Sequence, residues 1–397
     1  MRIILIIGAG FGQVPGIRKA KEMGYVVVAV DRDPNAPGMK LADHAYEVDV
    51  LDQKQILEIA IRHKIDGVFT LQTDLPMPTV GYINDHFGFS GVSLQTANFC
   101  SHKIETRRRL QTKNCAQPEF AIVDDLIEAQ VACEKIKFPC VIKAPDSSGS
   151  RGVVKVVEAS QIANAMQEAL SFSRGKSILV EEFIDGLEFG AQTFSVDGIC
   201  ELVLFHNDTM SKPPHMIPVG HSFPFQQLTD AQRQTADRAV KQAVEALGIQ
   251  NGPANVDLIL DKKNNQIKII EIGARIGATC LPELVELFSG IDWVGESIKS
   301  CLGQPVDLQM RKHQPVAALI LEAPKDGIFI DCQIDANPED FQVKEFEVTV
   351  HNGDRVSQLR KGTDRIGKIV CTGATAQQAE NFANAFRNKI TFEISES

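Results

Sequence analysis

The stretch NVDLILDKKNNQIKIIEIGARIGATC, Asn255 to Cys280, decides how the chain is read. Two β-rich runs flank KKNN (262–265), a turn signal. A three-residue loop centred on Asn264 sets Asp257 directly across from Glu271, with both carboxylates on one face. Like charges in that position destabilise a sheet. A buried charge is costly unless it is paired, hydrogen-bonded or metal-bound. A cation therefore belongs between them, and magnesium, which carboxylates and substrate phosphates hold together, is the natural one. Strand alternation puts Glu271, Gly273 and Arg275 on this face and Ile270, Ile272, Ala274 and Ile276 on the packed one. Gly273 leaves the floor bare, so that a ligand can approach the backbone. The competing reading is a structural Glu–Arg pair on a solvated sheet face. A two-residue loop would also shift the register and part the carboxylates.

The chain around this hairpin is that of a globular protein. Its 397 residues call for two or three domains. Hydrophobic residues make up 44% and charged residues 23%, and the net charge of −10 argues against nucleic-acid or anionic-membrane partners. No apolar run reaches the roughly 20 residues of a spanning helix. MRIILIIGAG runs straight into glycines and a helical pattern, and is expected to be a first strand rather than a signal segment. Nine cysteines, without C-x-x-C or Cys/His ligand spacing, point to free thiols in a reducing cytoplasm.

The expected fold class is α/β and α+β. Strand–helix–strand alternation over IILII (3–7), YVVVAVD, a helix at 53–62 and DGVFTL (66–71) predicts a parallel-sheet domain over residues 1–100. A basic helix is expected at 101–118, with the RRR of 107–109 as its solvated face. Short strands alternate with helices at Asp125–Lys137 and Ser160–Phe172. Then come FGAQTFSVDG, ELVLFH, a Pro-rich loop (KPPHMIPVGHSFPF), a helix at Asp230–Leu247 and the hairpin. Residues 306–397 read as a small, mostly β domain with one helix near 375–389.

Several segments carry nucleotide signals. Lys143 ends the apolar strand CVIK and precedes a Ser/Gly loop, SSGSRG (147–152). Such loops expose N–H groups that fold over phosphates, and the lysine reaches α/β-phosphates as a point charge. Alone, the loop also reads as a surface hairpin. In SILVEEFIDGLEFG (177–190), the backbone edge at Glu182–Ile184 suits an adenine and Glu188 suits ribose hydroxyls; an acidic connecting loop is the alternative. GAGFG (8–12) with Asp31 imitates a dinucleotide fingerprint, but its third glycine position is Gln13.

Lys103, Lys143 with SSGSRGV, EEFIDGLE, NVD and EIGAR, in this order and spacing, resemble the ATP-grasp superfamily. The nearest branch is that of carboxylate–amine ligases related to biotin carboxylase and the large carbamoyl-phosphate synthetase subunit. The resemblance covers about residues 1–305. It implies a pre-ATP-grasp domain, an ATP-grasp domain at 101–305 with subdomains near 115–185 and 186–305, and ATP between the subdomains. Lys103 and Lys143 would contact phosphates, and Ser148, Gly149, Ser150, Arg151 and Gly152 would close over them as a lid. Glu181 and the Glu182–Ile184 backbone would read adenine, and Glu188 the ribose. Asp257 and Glu271 would hold Mg2+, or Mn2+ in its place. Arg275 would stabilise the transferring phosphoryl group and the later oxyanion. The family usually carries Asn two residues after the second metal acid. Here Gly273 stands there, and Asn255, facing it across the hairpin, is the candidate for the missing amide oxygen.

The implied reaction activates a carboxylate as an acyl phosphate and joins it to an amine, releasing ADP and phosphate. The partners are small-molecule carboxylate and amine substrates, with a homodimer in prospect. Asp74, after strand three, and His221, in the Pro-rich loop, are the substrate-site candidates, with His215, His206 and Arg151 behind them. Met39, Met210 and Met216 read as packing residues. Three rival readings stand beside this one: a bicarbonate-using carboxylase, a nucleotide-binding protein without turnover suggested by Gly273, and an NAD-linked oxidoreductase built on GAGFG and Asp31.

Overall fold

The computed structural model describes residues 2–147, 149, 151–211 and 217–396. The apolar run Ile3–Ile7 (β1) lies between Val26–Asp31 (β2) and Gly67–Phe69 (β4), and His44–Glu47 (β3) flanks β2. All pairings are parallel. The crossovers include Val14–Glu22 (α1), with a proline in its first turn, and Gln53–His63 (α2), whose first turn is capped by the Asp52 side chain. Both faces of such a sheet are covered, which is why β1 reads as an unbroken apolar run. β3, Met77–Phe87 (α3) and Leu94–Ser101 (α4) complete this part; the sequence reading did not contain them.

The next helix is Lys103–Thr112 (α5), shorter than the 101–118 expected. Asn114, at a φ of 54°, turns the chain out of the helix. A four-stranded antiparallel sheet follows, in the order Phe120–Val123 (β5), Ile178–Glu182 (β8), Cys140–Lys143 (β6), Val153–Val156 (β7). Leu126–Ile136 (α6) and Ile162–Ser171 (α7) pack on it around Val123, Ile142, Ile162 and Val180. The chain continues through Gly186–Val196 (β9), Ile199–Met210 (β10) and Pro218–Phe223 (β11). Asp230–Leu247 (α8) has the predicted bounds. A capping box of Thr229 and Gln232 starts it, and Gly248 at φ 80° ends it.

Gly252–Asp261 (β12) pairs with β9 on one side and with Ile267–Gly273 (β13) on the other, both antiparallel. Near the turn the ladder runs Leu260 to Ile267, Ile259 to Lys268 and Leu258 to Ile269, a register one residue off a three-residue loop. A bulge between Asp257 and Leu258 then absorbs Ile270 and restores Asp257 opposite Glu271 and Asn255 opposite Gly273. The expected facing is present, but the bulge sets it, not the loop. The bulge also corrects the packed face: Ile269 is fully buried, whereas Ile270 is half-buried.

After Leu281–Ser289 (α9) and Trp293–Cys301 (α10), the C-terminal part holds Val316–Glu322 (β14), Gly327–Ile334 (β15), Val343–Val348 (β16), Arg355–Val356 (β17), Arg365–Thr372 (β18), Ala376–Arg387 (α11) and Ile390–Ser395 (β19). β11, β14, β18 and β16 are neighbours in that order, and β17, β15 and β19 form a second sheet. Leu321, Ile369, Phe386 and Phe392 are core residues between them. The mixed α/β class, with a parallel N-terminal sheet and a β-rich C-terminal part, is the one expected. Two compact units emerge: 1–203 with 228–278 and 294–308, and 204–227 with 279–293 and 309–397. Among the described residues, no helix is long and apolar enough to cross a membrane.

The bulge makes a prediction that plain alternation inverts. Ile269→Ala should cost about 2–5 kcal/mol in chemical denaturation, and Ile270→Ala clearly less.

Candidate active site

The hairpin sets Asp257 and Glu271 side by side on β12 and β13. The ammonium of Lys103, at the start of α5, lies 3.4 Å from Glu271 and also donates to the Ser147 carbonyl, so it joins the hairpin to the Ser/Gly loop. Burial works to raise the Glu271 carboxyl. The positive charges of Lys103, Lys143 and Arg275 outweigh it and hold the group below the ordinary glutamate range. Two carboxylates across adjacent strands offer oxygen donors that fit a hard divalent cation such as Mg2+.

Asn255 is held in a chain of amide hydrogen bonds. The Gly277 N–H donates to Gln192 Oε1 at 3.1 Å, which orients the Gln192 amide. Gln192 Nε2 then donates to Asn255 Oδ1 at 2.6 Å, and Asn255 Nδ2 donates to Asp257 Oδ1 at 3.0 Å. The relay from a backbone donor settles which way both amides point. Asn255 thus supports Asp257 through its amide N–H, while its oxygen accepts from Gln192. Gln192, fully buried on β9, was missed by the sequence reading. A polar residue within FGAQTFSV was the available signal.

Gly273 has a different partner. A Cβ at this position would lie 2.7 Å from Asp74 Oδ1 and 3.0 Å from Arg275 Cζ. The bare floor is therefore filled by the Asp74–Arg275 ion pair, 2.7 Å between Oδ2 and Nη2. Asp74 Oδ1 and Arg275 Nε are buried without a hydrogen-bond partner among the described residues. Burial opposes the Arg275 charge, but Asp74, and with it Asp257 and Glu271, hold its pKa above the ordinary value. A cavity of about 40 Å3 borders Ala274 and Arg275 and is walled by Val68, Phe69, Met77 and Val92. It has room for a few waters and not for a nucleotide.

The RRR face corrects a second expectation. Arg107 is 2% exposed, and its Nε lies 2.6 Å from Glu181 Oε1. Its Nη1 and Nη2 donate to the carbonyls of Ile269 (3.2 Å) and Ile270 (2.8 Å), at the bulge. Arg109 donates to the Ala246 carbonyl, and of the three only Arg108 is exposed. Lys143 Nζ reaches the other oxygen of Glu181 at 2.6 Å. The Glu181 carboxylate is thus taken by two cations and is not available to adenine. Burial would raise its pKa, but Arg107 and Lys143 pull it down to about 2. Burial lowers the pKa of Lys143, with Glu181 opposing the shift.

The Glu182 N–H donates to the Glu119 carbonyl at 2.9 Å, and Ile184 is buried. Glu188 is exposed on β9, opposite Ile259. Gly149 and Arg151 are exposed; Gly152, at φ 64°, is packed against Ala144 and Phe172. Ser148 and Ser150 of the lid, and His215 and Met216, lie outside the described residues. Met39 is packed as expected. His221 is no loop histidine. It sits on β11, 7% exposed, with Nδ1 2.6 Å from Asp208. In GAGFG the Ala9 N–H donates to Asp31 and the Gly10 N–H to Gln13, whose own amide donates to the Leu71 carbonyl. Two of the loop's N–H donors, those of Ala9 and Gly10, are thus engaged within the chain.

Comparison with known proteins bears on this geometry. Residues 103–309 match the family model described as the carbamoyl-phosphate synthase L chain, ATP binding domain. Residues 4–94 match the PylC-like N-terminal domain, and residues 320–395 the L-amino acid ligase C-terminal domain 2. A formate-dependent phosphoribosylglycinamide formyltransferase of Saccharolobus solfataricus is 25% identical over 389 residues, 95% of this chain and 93% of that protein. The crystal structure of phosphoribosylglycinamide synthetase from Anaerococcus prevotii has a TM-score of 0.84 at 26% identity, covering 99% of this chain and 100% of that one. The L-amino acid ligase from Bacillus licheniformis has the same fold, with a TM-score of 0.84 at 22% identity over 100% of this chain and 99% of its own.

Removing Arg107 leaves a buried carboxylate half-paired. Arg107→Met should lose about 3–5 kcal/mol in urea unfolding. The depressed Glu181 pKa stabilises the fold above the ordinary value of 4.5, and this contribution is lost as pH falls towards about 2. In Arg107→Met the folded-state pKa of Glu181 moves back towards the ordinary value, so the part of the acid loss of Tm that Glu181 causes should be smaller than in the parent.

Proposed function

We infer the reaction from one premise: the chain belongs to the ATP-grasp family, by way of the carbamoyl-phosphate synthase L-chain ATP-binding domain over residues 103–309. It is an ATP-dependent carboxylate–amine ligase. The observation that carries this reading is the pair Asp257–Glu271, facing across the bulged hairpin with Lys103 beside it and Arg275 on the same strand run.

In this reading Asp257 and Glu271 hold Mg2+ or Mn2+, and Asn255 and Gln192 orient Asp257. The metal, when bound, neutralises charge on the phosphates. Lys103 and Lys143 bind phosphate oxygens, Lys143 being held in place by Glu181. The loop around Ser148–Gly152 shuts water out, which an acyl phosphate requires. The backbone at Glu182–Ile184 takes the adenine and Glu188 the ribose. A substrate carboxylate oxygen attacks the γ-phosphorus, and the bond to ADP breaks. The amine nitrogen then attacks the acyl carbon, loses a proton, and phosphate departs. Arg275 stabilises the oxyanion of both steps. Asp74, next to it with an unshared buried oxygen, receives the amine. Residues 1–100, 101–305 and 306–397 serve as the functional domains, in a cytoplasmic homodimer; nine free cysteines suit that compartment.

An ADP-release screen with Mg2+ tests the reading. Pairs of amino acids, formate with an amine, and bicarbonate alone are the arms. Release that needs both a carboxylate and an amine supports it. Release with bicarbonate alone makes the protein a carboxylase, and ATP binding without release in any arm makes it a binding protein. Arg275→Ala should lower kcat by about 10²–10³ while ATP affinity changes little. Glu271→Gln should raise the Mg2+ concentration needed for half-maximal rate.

A further inference from the structure

Strands β10 and β11 carry a cluster that the ligase reaction leaves unused. His206 and Asp208 are two residues apart on β10, so alternation puts them on one face. His221 pairs directly with Asp208 across the ladder. The Nδ1 atoms of His206 and His221 lie 2.8 Å and 2.6 Å from the same oxygen, Asp208 Oδ1. The two rings meet edge to face at 5.1 Å, and Phe223 lies 5.3 Å from the His206 ring. His206 is 1% and His221 7% exposed.

A carboxylate that is 20% exposed and set against two buried imidazoles is stabilised by a positive partner. Three ligand-type atoms, all within 4.8 Å of one another, converge from two adjacent strands of a sheet, with little freedom to rearrange. The donor set decides which ion suits it. Imidazole nitrogen favours zinc and other first-row transition metals, whereas Mg2+ prefers oxygen alone. Two imidazoles and one carboxylate are three protein ligands, which leaves a fourth tetrahedral position for water.

We propose that His206, Asp208 and His221 bind a transition-metal dication, with zinc the best-matched ion. Each imidazole carries its proton on Nε2 and gives the Nδ1 lone pair to the metal, and Asp208 gives one oxygen. The site does not depend on the ligase reading, since its ligands belong to no part of that mechanism. Bound zinc pins β10 to β11.

The test uses the full-length, untagged chain, stripped with a chelator and titrated with ZnCl2 in excess Mg2+. One zinc per chain by elemental analysis, a zinc-dependent rise in Tm and a visible ligand-field band with Co2+ are expected. Asp208→Asn and His221→Gln should each weaken zinc binding by about 100-fold or more, beyond the loss that an outer-shell change causes, with MgADP binding retained. Zinc bound equally by both variants places it elsewhere, on the cysteines, and overturns the proposal. If the variants fail to fold, the parent protein decides: no Co2+ band and no zinc-dependent shift in Tm mean that the cluster holds a proton and no metal.

Discussion

The guanidinium of Arg107 is the fixed point of the first unit. It joins three elements that are distant in sequence: α5, which carries it, β8 through Glu181, and β13 through the carbonyls of Ile269 and Ile270. A bulge disrupts the local ladder and leaves carbonyls in need of donors. Arg107 supplies those donors from inside the protein. A buried arginine is tolerable there because its planar fork meets a carboxylate and two carbonyl oxygens at once.

The candidate site follows from that bulge. Without the extra residue, the ladder from the turn would set Asp257 against Ile270 and turn Glu271 to the other face. With it, the carboxylates share a face, and Lys103 and Arg275 have something to neutralise. The same network reaches Lys143, whose ammonium is positioned by the second oxygen of Glu181. Support and site are therefore one charge system. Removing a cation changes the pKa of the acids as well as their position.

Gly273 shows how one small residue decides what lies against the hairpin. A side chain there would clash with Asp74. Glycine admits a carboxylate from the N-terminal parallel-sheet region, at the carboxyl end of its strands, where open sheets of this kind receive ligands. The relatives include enzymes named for phosphoribosylglycinamide and for amino acids.

Local pattern alone settled much of this molecule. Unbroken apolar runs announced the parallel sheet, the Thr229–Gln232 cap and Gly248 bounded α8, and KKNN announced the hairpin, because each signal acts through neighbours in the chain. The meaning of a charge was settled elsewhere. Arg107 read as a solvated residue beside Arg108, Glu181 as a free acid, Asn255 as a spare oxygen and His221 as a loop residue. Arg107 and Glu181 were reassigned by each other, 74 residues apart, Asn255 by Gln192, 63 residues away, and His221 by Asp208, 13 residues away. Burial and pairing are properties of packed surfaces, and no window of sequence contains the residue that completes the pair.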